Sequence, residues 1–363
     1  MGGKRIDVCG VSVEVETDYP EFVRYLEGQF PEEAAAGAPD VIVRVRWTEG
    51  GRAASRPADV FPGWRAETRM ARNVYLGDGQ ILCLAQDDAA GIAIACASGS
   101  PRRFEVRYHF SLDASGWREV VKRVFRSQRI PGLRRSRMST LTYYAVYYPV
   151  WWHLEALGRA HPLHAAGVVL DGRGVLLGGL PGCGKSTLVT SFLGTPGAEL
   201  LADNIVLHDG AQIFGCFEPL LLDATTRNLL AARVPLEAAG RRHQYARDAF
   251  HAPHRTDGVP LGAAVILARG RETRVERLAA EECGRMLLAV TEAAKEIRRY
   301  HVLAALLALA DPDGLVQFEQ RVAHIDRLLA GVPCYWVEVR EGAPDEAVAV
   351  LRELSARATE VAS

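Results

Sequence analysis

The spacing of apolar residues changes along the chain, and each change predicts a different architecture. Val41-Ile-Val-Arg-Val-Arg-Trp47 has a period of two, the pattern of a strand with one buried face. Residues 4–13 and 39–47, Val74–Leu76, Gln80–Ala85, Gly91–Cys96 and Phe104–Phe110 continue in that manner. Gly77-Asp-Gly, Asp87–Gly91 and Gly99-Ser-Pro supply turns between them. One helix is expected near residues 19–30, so residues 1 to about 115 read as a mostly antiparallel, β-rich domain.

A basic stretch over 117–136 follows, with Arg118, Lys122, Arg123, Arg126, Arg129, Arg134 and Arg135, and Arg137 just beyond. It reads first as a solvated helix face and linker, and second as a docking patch for an acidic partner or a phosphate. Leu141–Leu157 is dense in tyrosine and tryptophan and reads as packing. From His161 onward strands alternate with helices, the signature of an α/β domain. The expected division is a β-rich domain with basic linker over 1–135 and an α/β domain over 136–363. In the second, Ala166–Leu170 and Val175–Leu177 form a hairpin around Asp171-Gly172. Val302–Leu309, Phe318–Leu329 and Pro344–Ala356 read as helices around a strand at Cys334–Val339.

Chemistry enters at Gly179-Leu-Pro-Gly-Cys-Gly-Lys-Ser186, followed by Thr187, which fits the phosphate-loop pattern G-x-x-x-x-G-K-[ST]. Gly179, Gly182 and Gly184 allow positive φ, so successive N–H groups can turn toward phosphate oxygens, with Pro181 and Cys183 between them. Lys185 supplies a point charge for the terminal phosphates, and the Ser186 hydroxyl can ligate Mg²⁺. An apolar run, Gly174–Gly178, precedes the loop and a helical pattern, Ser186–Leu193, follows it, which is the context an anion site requires. Glu199–Leu207 is then an apolar strand interrupted by Asp203 and Asn204. Asp203 lies 18 residues beyond Lys185 (203 − 185), on the next strand, where a carboxylate can meet the metal or an acceptor hydroxyl. Polar loop residues Arg241–Arg247 and helix residues Lys295–His301 are further candidates for phosphate contact, and Glu218 for metal or acceptor.

Composition adds boundaries. A net charge of −1 gives no global field for nucleic acid. No apolar run is long enough to span a bilayer, and the first residues lack the apolar core of a signal peptide. Seven scattered cysteines without a C-x-x-C pair read as residues of a reducing cytoplasm.

His164 in Pro-Leu-His-Ala-Ala-Gly, the hairpin and glycine loop of Gly172–Thr187, and Leu201-Ala-Asp-Asn-Ile-Val206 together resemble the HPr serine kinase/phosphorylase family and its relatives. Val259–Gly270 followed by Val275-Glu-Arg-Leu278 extends the likeness, which covers about residues 160–275. The resemblance implies a P-loop kinase domain of the phosphoenolpyruvate-carboxykinase type, using ATP and Mg²⁺ to phosphorylate a hydroxyl of a protein or peptide. It matches His164 to the family's active-site histidine and Asp203 to the first acid of its Ala-Asp-Asp. Ala165 stands where the family has glycine, and Asn204 where it has the second acid, so the general base falls to Asp203 with His164 assisting. The first domain does not resemble that of the bacterial carbohydrate-regulating enzymes. Similar stand-alone kinases modify ribosomally made peptides, and a peptide acceptor is therefore expected. Two alternatives stand beside this reading: a small-molecule kinase, and a nucleotide-gated regulatory module without efficient turnover. A homo-oligomer is compatible with all three.

Overall fold

The computed structural model describes residues 2–30, 37–49, 60–61, 68–71, 73–77, 80–84, 91–97, 99–110, 130–193, 195–216, 218–222, 227–228, 237–242, 247–251, 255, 257–310, 318–340 and 344–362. The chain divides into two compact units, Met1–Leu157 with Arg299–Val316, and Gly158–Arg298 with Gln317–Ser363. Both are mixed α/β. Among the described residues no helix is long and apolar enough to cross a membrane.

The first unit is built on one sheet. Its strands are β1 (Gly2–Val8), β2 (Val11–Thr17), β3 (Val41–Glu49), β4 (Thr68–Ala71), β5 (Val74–Gly77), β6 (Gln80–Leu84), β7 (Ile92–Ala97) and β8 (Arg102–Phe110). Their order is β1-β2-β3-β8-β7-β6-β5-β4. Residues 4–13 do not form one strand, because Cys9 and Gly10 take φ of 55° and 72° and reverse the chain. Such paired positive φ values match the twist of a two-residue hairpin. β2–β3 and β3–β8 are parallel, and α1 (Pro20–Gln29) makes the crossover that the first of these needs. Alternation buries one face of β2, β3 and β8, including Val13, Val43, Val45, Phe104, Val106 and Tyr108.

The aromatic segment belongs to this unit, beyond the expected division at 135/136. It runs through α2 (Ile130–Thr142), a π-helical turn (Tyr143–Tyr147) and α3 (Tyr148–Ala156), which pack on β2, β3 and β8. Tyr144, Tyr148, Trp151 and Trp152 are fully buried there, and Tyr300 from the returning segment meets Trp151 edge-on at 5.3 Å. Large rings bury most surface against a sheet face, and that gain draws the helices to the β-rich unit. Arg118, Lys122, Arg123, Arg126 and Arg129 lie outside the described residues, whereas Arg134 pairs with Glu49 at 2.7 Å.

In the second unit β9 (His161–Leu163), β10 (Ala166–Leu170), β11 (Arg173–Gly178), β12 (Ala198–Ala202), β13 (Val206–His208) and β14 (Gln212–Gly215) precede three short strands, β15 (Leu220–Leu222), β16 (Glu237–Arg242) and β17 (Arg247–His251). Then come β18 (Val259–Gly270), β19 (Arg274–Leu278) and β20 (Cys334–Arg340). The main sheet runs β12-β10-β11-β18-β14-β13-β9, with β20 beside β18 and β19 beside β20, while β15-β17-β16 form a small sheet. The β10–β11 hairpin turns at Asp171 and Gly172, φ 49° and 82°. β11, β18 and β20 run parallel, and the continuous apolar runs in β11 and β18 fit burial on both faces.

Helices cover both faces. Leu188, Val189 and Phe192 of α4 (Lys185–Phe192) pack with Val175, Leu177 and Val265 on one side. Cys283 and Leu287 of α5 (Ala280–Ala293) pack with Leu176, Ala264 and Ile266 on the other. α6 (Lys295–Ala310), α7 (Phe318–Leu329) and α8 (Pro344–Ala362) complete the described helices.

The expected strand 199–207 is two strands, broken at 203–205. β12 pairs with β10, and β13 pairs with β9 and β14. A Cβ on Gly215 would collide with the Leu201 and Arg255 carbonyl oxygens, so glycine is what lets the end of β14 approach the end of β12. Gly215→Ala is expected to destabilise the protein by about 1–3 kcal/mol, as overpacking against backbone does. A thermal unfolding midpoint equal to that of the unaltered protein would contradict this.

Candidate functional site

Gly178 ends β11 and Lys185 begins α4, so the glycine loop links a buried strand to a helix N-terminus. Its glycines adopt the conformations expected of them: φ is 146° at Gly179, 88° at Gly182 and 105° at Gly184. At Gly179 a side chain is excluded twice over, since a Cβ would lie 2.6 Å from Cys183 Sγ and 2.8 Å from Leu267 O. The loop closes on itself through Cys183 N–H donating to Leu180 O at 3.1 Å. Pro181 and Gly182 are exposed, and Cys183, Gly184, Ser186 and Thr187 are half-buried at the start of α4. Free N–H groups at a helix start, with the dipole behind them, favour an anion.

Lys185 is buried within this loop. Its Nζ donates to Gly179 O at 2.5 Å and lies 3.2 Å from His164 Nε2. His164 follows β9, and its backbone N–H donates to Thr291 Oγ1 of α5 at 3.1 Å. Two groups that each favour a positive charge are thus buried against one another. Burial first, and the Lys185 charge second, push the His164 imidazole down to about 4, against a smaller raising effect from the Asn204 main chain. Burial also lowers Lys185, while the nearby Cys183 and Asp203 raise it. With its imidazole neutral above about 4, His164 can accept from the Lys185 ammonium at Nε2. A histidine so engaged holds the lysine and is a weak base.

This burial has a measurable consequence. A histidine in the unfolded chain takes its proton near 6.5. Between about 6.5 and 4 the unfolded state therefore holds more protons than the folded one, and stability falls as pH falls. The window is worth about 3 kcal/mol. The stability difference between the protein and a His164→Asn variant should shrink by that amount from pH 7 to pH 4, read by urea unfolding. A difference independent of pH would contradict a neutral buried ring.

Asp203 stands just past the end of β12, and its carboxylate is buried. Its charge acts on Lys185, and the same lysine contacts His164, so the three residues lie within electrostatic reach through Lys185. The Asn204 side chain meets Glu218, its Nδ2 donating to Glu218 Oε2 at 3.0 Å. Sequence reading named Glu218 but not this pairing, and it missed Thr291, for which no local signal exists. Of the remaining candidates, Arg241, Arg242 and Arg247 fall on β16 and β17, with residues 243–246 outside the described residues. Lys295 and Arg298 lie at the start of α6.

Among the described residues no group of three or more His, Cys, Asp or Glu could hold a metal ion. A divalent cation here would share its ligands with phosphate oxygens, for which the hydroxyl of Ser186 and the buried Asp203 are suitable hard donors. The chain matches no protein-family model and no curated protein.

Proposed function

We propose that this chain is an ATP- and Mg²⁺-dependent kinase with a P-loop domain of the HPr-kinase type, phosphorylating a hydroxyl of a peptide or protein. Serine of a ribosomally made precursor peptide is the first acceptor to test. The observation that carries the reading is the buried Lys185 inside a glycine loop at a helix N-terminus, with the Asp203 carboxylate near enough to affect its charge.

Each residue has a task in that chemistry. The loop from Gly179 to Thr187 would cradle the phosphates through its N–H groups. Lys185 would leave the Gly179 carbonyl and His164 for the terminal phosphates. Ser186 and Asp203 would hold Mg²⁺, which when bound neutralises charge on the phosphate oxygens. His164 positions the lysine before the nucleotide arrives. Positioning and charge stabilisation are most of what phosphoryl transfer asks of a protein.

The test is ATP turnover with and without Mg²⁺, and with and without candidate acceptor peptides. Metal-dependent turnover stimulated by a peptide that becomes phosphorylated supports the kinase. Tight ATP binding with no turnover in any combination favours a regulatory module, and no binding at all ends the nucleotide reading.

A further inference from the structure

We propose that Thr291 acts as a latch on the phosphate-binding lysine: through His164 it holds Lys185 in its resting place, from which a nucleotide must draw it. The inference rests on the nucleotide-binding part of the reading above, and not on transfer to any acceptor. Three hydrogen bonds in series carry it. Thr291 Oγ1 accepts the His164 main-chain N–H at 3.1 Å, His164 Nε2 lies 3.2 Å from Lys185 Nζ, and Nζ donates to Gly179 O at 2.5 Å. Thr291, His164 and Lys185 are all buried, so bulk water does not stand in for a partner that is lost.

The anchor is firm because of where it sits on α5. Cys283, Leu287 and Thr291 follow one another at intervals of four, so they share one buried face of that helix. Cys283 meets the Cys334 thiol at the start of β20. Leu287 packs so closely on the end of β11 that a Cβ on Gly178 would lie 2.5 Å from its Cδ2. Thr291 is in the last turn, where its carbonyl accepts the Ala294 N–H at 3.0 Å and its hydroxyl oxygen meets His164. One helix face thus grips both the strand that leads into the glycine loop and the histidine that holds the loop's lysine.

An ammonium group engaged by a carbonyl and an imidazole has to be released before it can serve a phosphate. A ligand that needs a less populated arrangement of its site binds more weakly by the fraction in which that arrangement exists. The better His164 is held, the less often the lysine is free, and nucleotide affinity is set accordingly. Thr291 is a positioning residue, because it acts through His164. Its loss has a sign that a purely structural role would not give: damage to a binding site weakens binding, whereas loss of a latch strengthens it. Thr291→Val puts a methyl group where the oxygen accepted, so the His164 N–H loses its partner and the histidine loses its seat.

The test is the Mg-ATP affinity of the full chain, read by calorimetric titration well below the unfolding midpoint. Thr291→Val should bind about tenfold tighter, the lower end of what a hydrogen bond to a charged group is worth, although it unfolds at a lower temperature. Thr291→Ser keeps the acceptor and should bind as the unaltered protein does. His164→Ala should also bind tighter, and adding Thr291→Val to it should change the affinity no further, since residues in one chain of contacts do not act additively. A Thr291→Val affinity equal to or below that of the unaltered protein, or a further gain of similar size in the His164→Ala background, would overturn the latch while the nucleotide reading stands. Should Thr291→Val fail to fold, nitrogen NMR of the unaltered protein carries the test. Saturating Mg-ATP should then move the His164 Nε2 resonance toward that of an unbonded ring nitrogen, and an unmoved resonance would overturn the inference. Absence of ATP binding by both the unaltered protein and Thr291→Val would instead remove the nucleotide reading, and the latch with it.

Discussion

Lys185→Ala should abolish ATP turnover and weaken Mg-ATP binding by about 10- to 100-fold. A hydrogen bond to a charged group is worth about 1.5–3 kcal/mol, and each factor of ten takes about 1.4 kcal/mol. The fold should survive, because the ammonium group is held by the Gly179 carbonyl and His164 and is not part of the apolar layers. Removing it also removes one cause of the low His164 proton affinity, so that imidazole should titrate higher in the variant. Calorimetric titration with ATP and histidine NMR read the two effects. Unchanged ATP affinity and turnover would sink the assignment of the loop.

Asp203→Asn should reduce kcat by at least about 10²-fold, with a much smaller change in nucleotide affinity. The substitution keeps size and removes charge, so it isolates what the buried carboxylate contributes beside Lys185. That charge raises the Lys185 proton affinity, and it is available to a cation that arrives with the phosphates. Single-turnover rates at saturating ATP would separate the chemical step from binding. Near wild-type turnover would mean that Asp203 neither holds the cation nor takes another part in transfer.

The glycine loop was legible because its requirements are local: three glycines at fixed offsets, a lysine at the helix start, and an apolar strand before them. The Asp171-Gly172 hairpin was legible for the same reason, since positive φ at consecutive residues has few sequence solutions. Cys9-Gly10 has the same geometry, but a cysteine at positive φ is not a turn signal, and residues 4–13 read as a single run. The place of Asp203 at the end of the strand after the loop helix could be anticipated from its spacing to Lys185, whereas the amide–carboxylate contact from Asn204 to Glu218 could not. It depends on the close approach of two strand ends at Gly215, which no periodicity encodes. Thr291 supports His164 across 127 positions of sequence. The aromatic helices were recognisable as something to be buried, but ring content does not say which sheet will bury them.

The first unit is discontinuous in sequence, and this bears on how the protein can be made and cut. A ribosome delivers the amino end first, yet Arg299–Val316 emerges only after the strands from β9 to β19 have been synthesised. The second unit waits as well, because β20, the parallel neighbour of β18, and helix α8 come last. Neither unit can therefore finish before most of the other exists, and scission at one peptide bond releases neither of them whole. A shortened protein beginning near Ser136 would retain Trp151, Trp152 and Tyr300 but lack the strands that the aromatic helices cover, leaving those rings to drive aggregation in the expression host.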